Sequence, residues 1–292
     1  MDLTSALQRL ANYRARNSRA SRQIFETGVV VFRNDALHKL GDDSWEFLES
    51  LALAAVDVGR IDVAEACLKH LSTKFPESPR VQCLEGILKE ATDGAETALS
   101  FYQKLLEAEP SNAAVWKRQI SVLRKLSRIE HAVEELSKFV DTFYTDVEAW
   151  LELADLYASH HHRYTLALQS LSHVLLLAPQ NPFYVLQAAE TAYTAEDIPL
   201  AIRFFLMTIE MTGNGDEEPP VPTGITVRAW YGIELSAARL EADPKLATSS
   251  PSETRPLEYM GQLRQLAQDV LKAAQADQQG AESQASSTWL RR

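Results

Sequence analysis

Apolar and polar positions along this chain follow a helical rhythm, and the rhythm itself repeats. Alanines stand at Ala64, Ala98, Ala132, Ala167 and Ala201, at intervals of 34, 34, 35 and 34 residues. Four residues after each comes a large apolar side chain: Leu68, Tyr102, Leu136, Leu171 and Phe205. Three further on stand Leu71, Leu105, Phe139, Val174 and Thr208. Steps of four and then three put these side chains on one face of a helix. A small residue where two helices cross lets them approach closely. Twelve positions after the alanine come Pro76, Pro110, Tyr144, Pro179 and Gly213, and a proline there stops the helix. Each unit is therefore predicted to close with a short amphipathic helix.

The first half of each unit repeats as well. Trp116 and Trp150 lie 34 residues apart and open helices at the same phase. Leu51-Ala52, Leu153-Ala154 and Ala188-Ala189 occupy a matching position. Gly86 holds the small position in the second unit, and Ile120 departs from it in the third. Gly59 marks the turn between the first unit's two helices. Two helices per unit of about 34 residues resemble the tetratricopeptide repeat (TPR). The predicted fold class is all-α, a TPR-type right-handed α-solenoid of about five helix-turn-helix repeats with an N-terminal helix and C-terminal capping helices. The units are read as 45–78, 79–112, 113–146, 147–181 and 182–211, after a helical lead at 1–44. Residues 212–227 are rich in Gly, acids and Pro and read as a flexible loop. A degenerate repeat and capping helices follow at 228–276, interrupted by a polar linker from Asp243 to Pro256, and a low-complexity tail at 277–292 reads as disordered.

Composition narrows the function class. The 292 residues are 46% apolar and carry 29 Lys plus Arg against 40 Asp plus Glu, a net charge of −11. That excludes wholesale disorder, and it argues against a general nucleic-acid binder, which needs cations for phosphates. The charge is polarised: Arg9, Arg14, Arg16, Arg19 and Arg22 face only Asp2 in the first 22 residues. An Arg- and Ser-rich start imitates a transit peptide, against which Asp2 argues, and no apolar signal core follows it. The longest stretch without charged residues, Tyr164 to Ala189, holds amides and is cut by Pro179 and Pro182, so it reads as a turn between buried helices and not a membrane span. Cys67 and Cys83 form no CxxC motif and read as reduced thiols in a reducing compartment.

No nucleophile elbow, phosphate loop, dinucleotide fingerprint or HExxH motif is present, so no catalytic residue and no cofactor are expected. His160, His161 and His162 lie near Asp155, where the fourth unit carries its extra residue. A tract in a turn supplies the usual four placed ligands poorly, so no metal site is assigned. A stacked repeat array does offer an extended concave surface. The TPR resemblance implies that the first helix of each unit lines it. The residues expected there are Arg80, Cys83, Ile87 and Glu90, then Ala114, Lys117, Ser121, Arg124 and Lys125, then Glu148, Leu151, Asp155 and Ala158, and last Phe183, Leu186, Glu190 and Tyr193. The groove runs from basic to acidic to aromatic and suits an extended protein segment of mixed character. It does not suit the clamp by which some TPR domains hold chaperone tails, because Glu148 and Glu152 stand where bases are needed.

The flanks are more specific. Asn17-Ser18-Arg19, Gln23-Ile24 and Gly28 lead into Lys39-Leu40-Gly41-Asp42-Asp43 and Trp45. Ala54-Ala55-Val56-Asp57-Val58-Gly59-Arg60, Phe75-Pro76-Glu77-Ser78 and Arg80-Val81 follow. With Trp116-Lys117-Arg118, Ala149-Trp150, Asn181, Tyr184, Arg228-Ala229 and Gly232, this resembles the subunit 2 family of the endoplasmic reticulum (ER) membrane protein complex (EMC) over residues 12 to 240. The loop at 216–222 and the Gln/Ser-rich tail depart from that pattern. The resemblance implies a non-catalytic cytosolic scaffold subunit, peripheral to the ER membrane, on a complex that inserts tail-anchored and multi-pass proteins. It implies partners in cytosolic segments of the membrane subunits and in another soluble subunit. The competing expectation is a TPR adaptor of another cytosolic complex.

Overall fold

In a computed structural model the described residues are 3–16, 18–34, 36–160, 162–213, 222–248, 250–255 and 258–277. Most of the acidic Pro-rich loop, His161, Asn17 and the tail beyond Asp277 lie outside them. Every regular element among the described residues is helical. The chain divides into two compact units, one up to Phe139 and one from Val140.

The first unit opens with α1 (Leu3–Ala15) and α2 (Ser21–Arg33), then a 3-10 stretch at Ala36–Asp43. Helix pairs follow: α3 (Ser44–Val58) with α4 (Ile61–Lys74), α5 (Pro79–Thr92) with α6 (Ala95–Ala108), and α7 (Ala113–Lys125) with α8 (Ile129–Thr142), which crosses the boundary between units. Local chemistry sets these limits. Gly59 takes a left-handed φ of 78° and ends α3, as a residue without Cβ does at little cost. Ser78 is extended before Pro79 at the start of α5. Asn112 Oδ1 accepts a hydrogen bond from the Val115 N–H at 3.2 Å and caps α7. The repeat alanines Ala64, Ala98 and Ala132 are all buried. The lead is part of the core: Ala6, Leu10 and Val31 pack with Phe47, Leu48, Leu51, Cys67, Leu71 and Leu84.

The second unit holds α9 (Val147–Ser159), α10 (Tyr164–Leu177), α11 (Pro182–Thr194), α12 (Ile198–Thr212), α13 (Ile225–Ala242) and α14 (Met260–Asp277). Side-chain caps again fix the starts: Asp146 for α9, Asn181 for α11 and Asp197 for α12. Ala167 and Ala201 are fully buried, with Leu171 and Phe205 beside them in sequence phase. Phe205 fills the space over Gly232 of α13, where a Cβ would come within 2.3 Å of its ring. α13 starts after Gly224 (φ 57°), ahead of the 228 read from the sequence, and stops before Asp243-Pro244, where the polar linker was expected to begin. α14 lies on α13 through the buried Ala267 and Leu271. Arg264 and Gln268 donate to the buried Glu234 carboxylate, at 3.2 Å from Arg264 Nε and 3.2 Å from Gln268 Nε2.

Candidate functional site

Within the first unit α3, α5 and α7 lie side by side, because each packs on the next. Side chains of α1 and α2 meet this row, and between them opens a cleft of about 810 Å³. Leu10, Ile24, Phe47, Leu53 and Ile87 give it apolar surface. Around them stand five cationic side chains, Arg14, Arg19, Arg80, Arg118 and Lys125, and four acidic ones, Glu46, Glu49, Asp57 and Glu90.

The charges are arranged in pairs between neighbouring helices. Arg80 of α5 reaches back to Glu49 of α3 at 2.6 Å, and Arg118 of α7 reaches back to Glu90 of α5 at 2.7 Å. Arg14 pairs with Asp43 at 3.2 Å, and Arg19 with Asp57 at 3.4 Å. Ser21 Oγ also donates to Asp57, at 2.5 Å. Glu90 is the most enclosed of these acids: its Oε1 accepts from the Tyr102 hydroxyl at 2.7 Å and from Arg118 Nε at 3.2 Å as well. Burial, and the Glu90 carboxylate on its hydroxyl, push the Tyr102 phenol far up from its ordinary value. Burial likewise pushes up the Cys83 thiol on α5, and drives Cys67 up to about 12. Both cysteines are free thiols. Neither thiol lines the cleft, so its character comes from the side chains named above. Its apolar floor and balanced rim of fixed charges can hold a polypeptide segment, aligning backbone and side chains by charge while burying apolar residues.

The residues expected in the groove divide. Arg80, Ile87, Glu90 and Lys125 line the cleft. Lys117 does not line it: its ammonium lies over the Phe139 ring, 5.8 Å from the centroid. Ser121 is exposed and Arg124 half-buried on α7, outside the cleft lining. In the second unit Asp155 is exposed, and so is Phe183, at 61%. Leu151 packs against Ala154, Leu171 and Ala188. Glu190 forms a two-point ion pair with Arg228, at 2.5 and 2.8 Å. Tyr193 carries Arg239 over its ring at 5.4 Å. Leu186 is a correction: it is 4% exposed, inside a core cluster with Ala189, Ala201, Phe205 and Ile233, and offers no open surface. The apolar stripe of α11 is wide enough to bury it.

Three parts of the cleft escaped the sequence reading. The contribution of α1 depends on how the lead folds back, while Arg118 and the acidic face of α3 enter through pairs between neighbouring helices. A partial signal exists for the last. Glu46, Glu49, Leu53 and Asp57 recur in steps of three and four, which marks one helix face. Among the described residues no group of three or more His, Cys, Asp or Glu converges on a metal-sized site, and no helix is long and apolar enough to cross a membrane. His162 Nδ1 lies 3.3 Å from the Tyr164 hydroxyl, and His160 is exposed at the end of α9.

Paired helices with buried small residues at a 34-residue period define a tetratricopeptide-type repeat protein, and its fold class is the all-α TPR solenoid. The C-terminal part of a TPR repeat-containing protein from Cytophaga hutchinsonii shares this fold. It superposes with a TM-score of 0.57 at 14% identity, over 92% of this chain and 98% of that one. The chain belongs to the family of ER membrane protein complex subunit 2. The EMC2 TPR-like repeat domain matches residues 63–201. ER membrane protein complex subunit 2-A of Xenopus laevis is 33% identical over 240 residues, 81% of this chain and 76% of the relative. TPR repeat protein oca3 of Schizosaccharomyces pombe is 34% identical over 158 residues, 53% of this chain and 56% of the relative.

Proposed function

We propose that this chain is a non-catalytic scaffold subunit of the ER membrane protein complex, held on the cytosolic face of the ER membrane through its partners. In this reading the complex is an insertase for tail-anchored and multi-pass membrane proteins. Cytosolic segments of its membrane subunits lie along the first helices of the repeats, and a second soluble subunit binds elsewhere on the surface. The observation that carries the reading is the 33% identity over 240 residues to a relative named as subunit 2 of that complex. The cleft supports it, since its apolar floor and paired charges suit a peptide segment better than a small substrate. Its first-helix residues Arg80, Ile87 and Lys125 contact that segment. The groove residues outside the cleft, Lys117, Ser121, Arg124, Leu151, Asp155, Phe183, Glu190 and Tyr193, flank the path of the partner segments.

Deletion in the native cell tests this. The expected result is loss of the assembled complex together with reduced insertion of a tail-anchored client, restored by the intact chain. Undiminished insertion and an intact complex after deletion contradict the reading and leave the adaptor of another complex in its place.

A further inference from the structure

The connection from α13 to α14 passes over the start of α12, and it is fastened there by an unusual cluster of hydroxyl groups. Asp197, which caps α12, is 1% exposed. Its Oδ1 accepts from the Leu200 N–H at 3.3 Å and from Ser250 Oγ at 2.7 Å. Its Oδ2 accepts from the Ser252 N–H at 3.1 Å. Ser250 Oγ in turn accepts from the Thr254 N–H at 3.1 Å, and the Ser252 and Thr254 hydroxyls lie 2.6 Å apart. A turn closes the strap, with the Glu253 N–H donating to the Ser250 carbonyl at 3.1 Å and Glu253 itself at φ 55°. Farther along, Arg203 donates to the Arg255 carbonyl at 3.2 Å. One buried carboxylate thus holds the strap through the Ser250 hydroxyl and the Ser252 N–H together.

Ser250 precedes a proline, and Pro251, Ser252 and Glu253 beyond it are exposed. A Ser-Pro pair on an exposed turn is the local pattern that proline-directed serine/threonine kinases read. We propose that Ser250 is a phosphorylation site for a kinase of that class, and that the phosphate unlatches the 250–255 strap from Asp197. The γ-phosphoryl group of ATP passes to Ser250 Oγ: an O–P bond forms there, the bond from Pγ to the departing ADP breaks, and the hydroxyl proton goes to the kinase base. The product oxygen has no proton to donate to Asp197. It also brings a charge of about −1.5 to −2 against a carboxylate that has almost no solvent to screen it. Of the guanidinium groups on α12 and α13, Arg239 is engaged on Glu196 at 2.5 Å and Arg203 is bound to the Arg255 carbonyl at the end of the strap. The strap therefore leaves. α14 stays, because Glu234 holds Arg264 and Gln268, and Ala267 and Leu271 remain buried on α13. The switch is local: it frees a phosphorylated strap without dismantling the cap.

The full chain, ATP and a purified proline-directed kinase test this, read by mass spectrometry and amide hydrogen exchange. The expected result is phosphate at Ser250, absent from Ser250→Ala. Exchange at the Ser252 amide, which donates to Asp197, rises roughly tenfold to a hundredfold, the factor for losing a charge-assisted hydrogen bond, while Leu271 is unchanged. Ser250→Ala without phosphate keeps the Ser252 N–H on Asp197 and changes exchange less than the phosphate does. Absence of phosphate at Ser250 in the folded chain overturns the proposal. So does a phosphorylated chain that exchanges at the unmodified rate, a Ser250→Ala chain that opens as far as the phosphorylated one, or a phosphate that also exposes Leu271.

Discussion

The Tyr102 ring occupies the space that a side chain on Gly86 would need. A Cβ built on Gly86 would fall 2.1 Å from Tyr102 Cε1 and 2.7 Å from its hydroxyl oxygen. The glycine lets α5 and α6 close on each other, and the ring then places its hydroxyl on Glu90, which also receives Arg118. One packing relation thus connects the repeat signature to the wall of the cleft.

Gly86→Ala is expected to force the ring or the helix to move, at a cost of about 1–3 kcal/mol. Gly232→Ala, against the Phe205 ring at 2.3 Å, is the matching change in the second unit. Urea denaturation with an unchanged slope reads both. Neutral behaviour of the two variants means that the close approaches are not where the structure has them. Ala98→Leu, at a fully buried crossing, is expected to cost a similar amount.

Arg118→Ala is expected to destabilise the first unit by about 1–3 kcal/mol, because Glu90 loses its cation and keeps only the Tyr102 hydroxyl. Arg80→Ala is expected to cost under about 1 kcal/mol, since Arg80 is 70% exposed and its pair is screened. A double-mutant comparison of Arg118 with Glu90 against Arg80 with Glu49 checks the difference.

Stability is expected to fall as pH rises from about 9 toward about 12, with a steeper slope than a variant at Cys67 shows. Burial raises the folded Cys67 thiol from 9.0 to about 12, so the unfolded chain loses its proton first. The contribution is complete below pH 9 and disappears as pH climbs through the folded value, at up to about 1.4 kcal/mol for each pH unit. Cys67→Ala carries a cavity cost at every pH. The test is therefore the slope of stability against pH, read by denaturation between pH 7 and the alkaline limit of reversibility.

Much of this fold was legible in the chain. Ala64, Ala98, Ala132, Ala167 and Ala201 announce a period, and all five are buried. The small position at Gly86 was legible for the same reason, because close helix crossing leaves a mark at fixed spacing. The cleft was legible only in part. Arg80, Ile87 and Lys125 follow from the phase of the first helices, but Tyr13, Arg14 and Arg19 come from a lead outside the repeat, and no periodicity says where that lead docks. Leu186 was misplaced because an apolar side chain on the groove edge and one in the core obey the same spacing. Lys117 stands outside the cleft lining, its long stem carrying the ammonium over the Phe139 ring.

Lys125→Glu combined with Leu53→Asp changes one charged and one apolar surface of the cleft without touching the Glu90 cluster. The pair is expected to weaken retention of partner segments while leaving thermal unfolding within a few degrees of the parent. Unaltered retention in pull-downs with the folded double variant would place the partner contact elsewhere.

Purification of the tagged chain from detergent-solubilised ER membranes, with mass-spectrometric identification and quantification of every retained protein, is the most direct test of the scaffold assignment. The expected outcome is stoichiometric recovery of membrane-spanning subunits together with a second soluble subunit. Recovery of the chain as a free monomer from the soluble fraction, with no membrane protein retained, would contradict it.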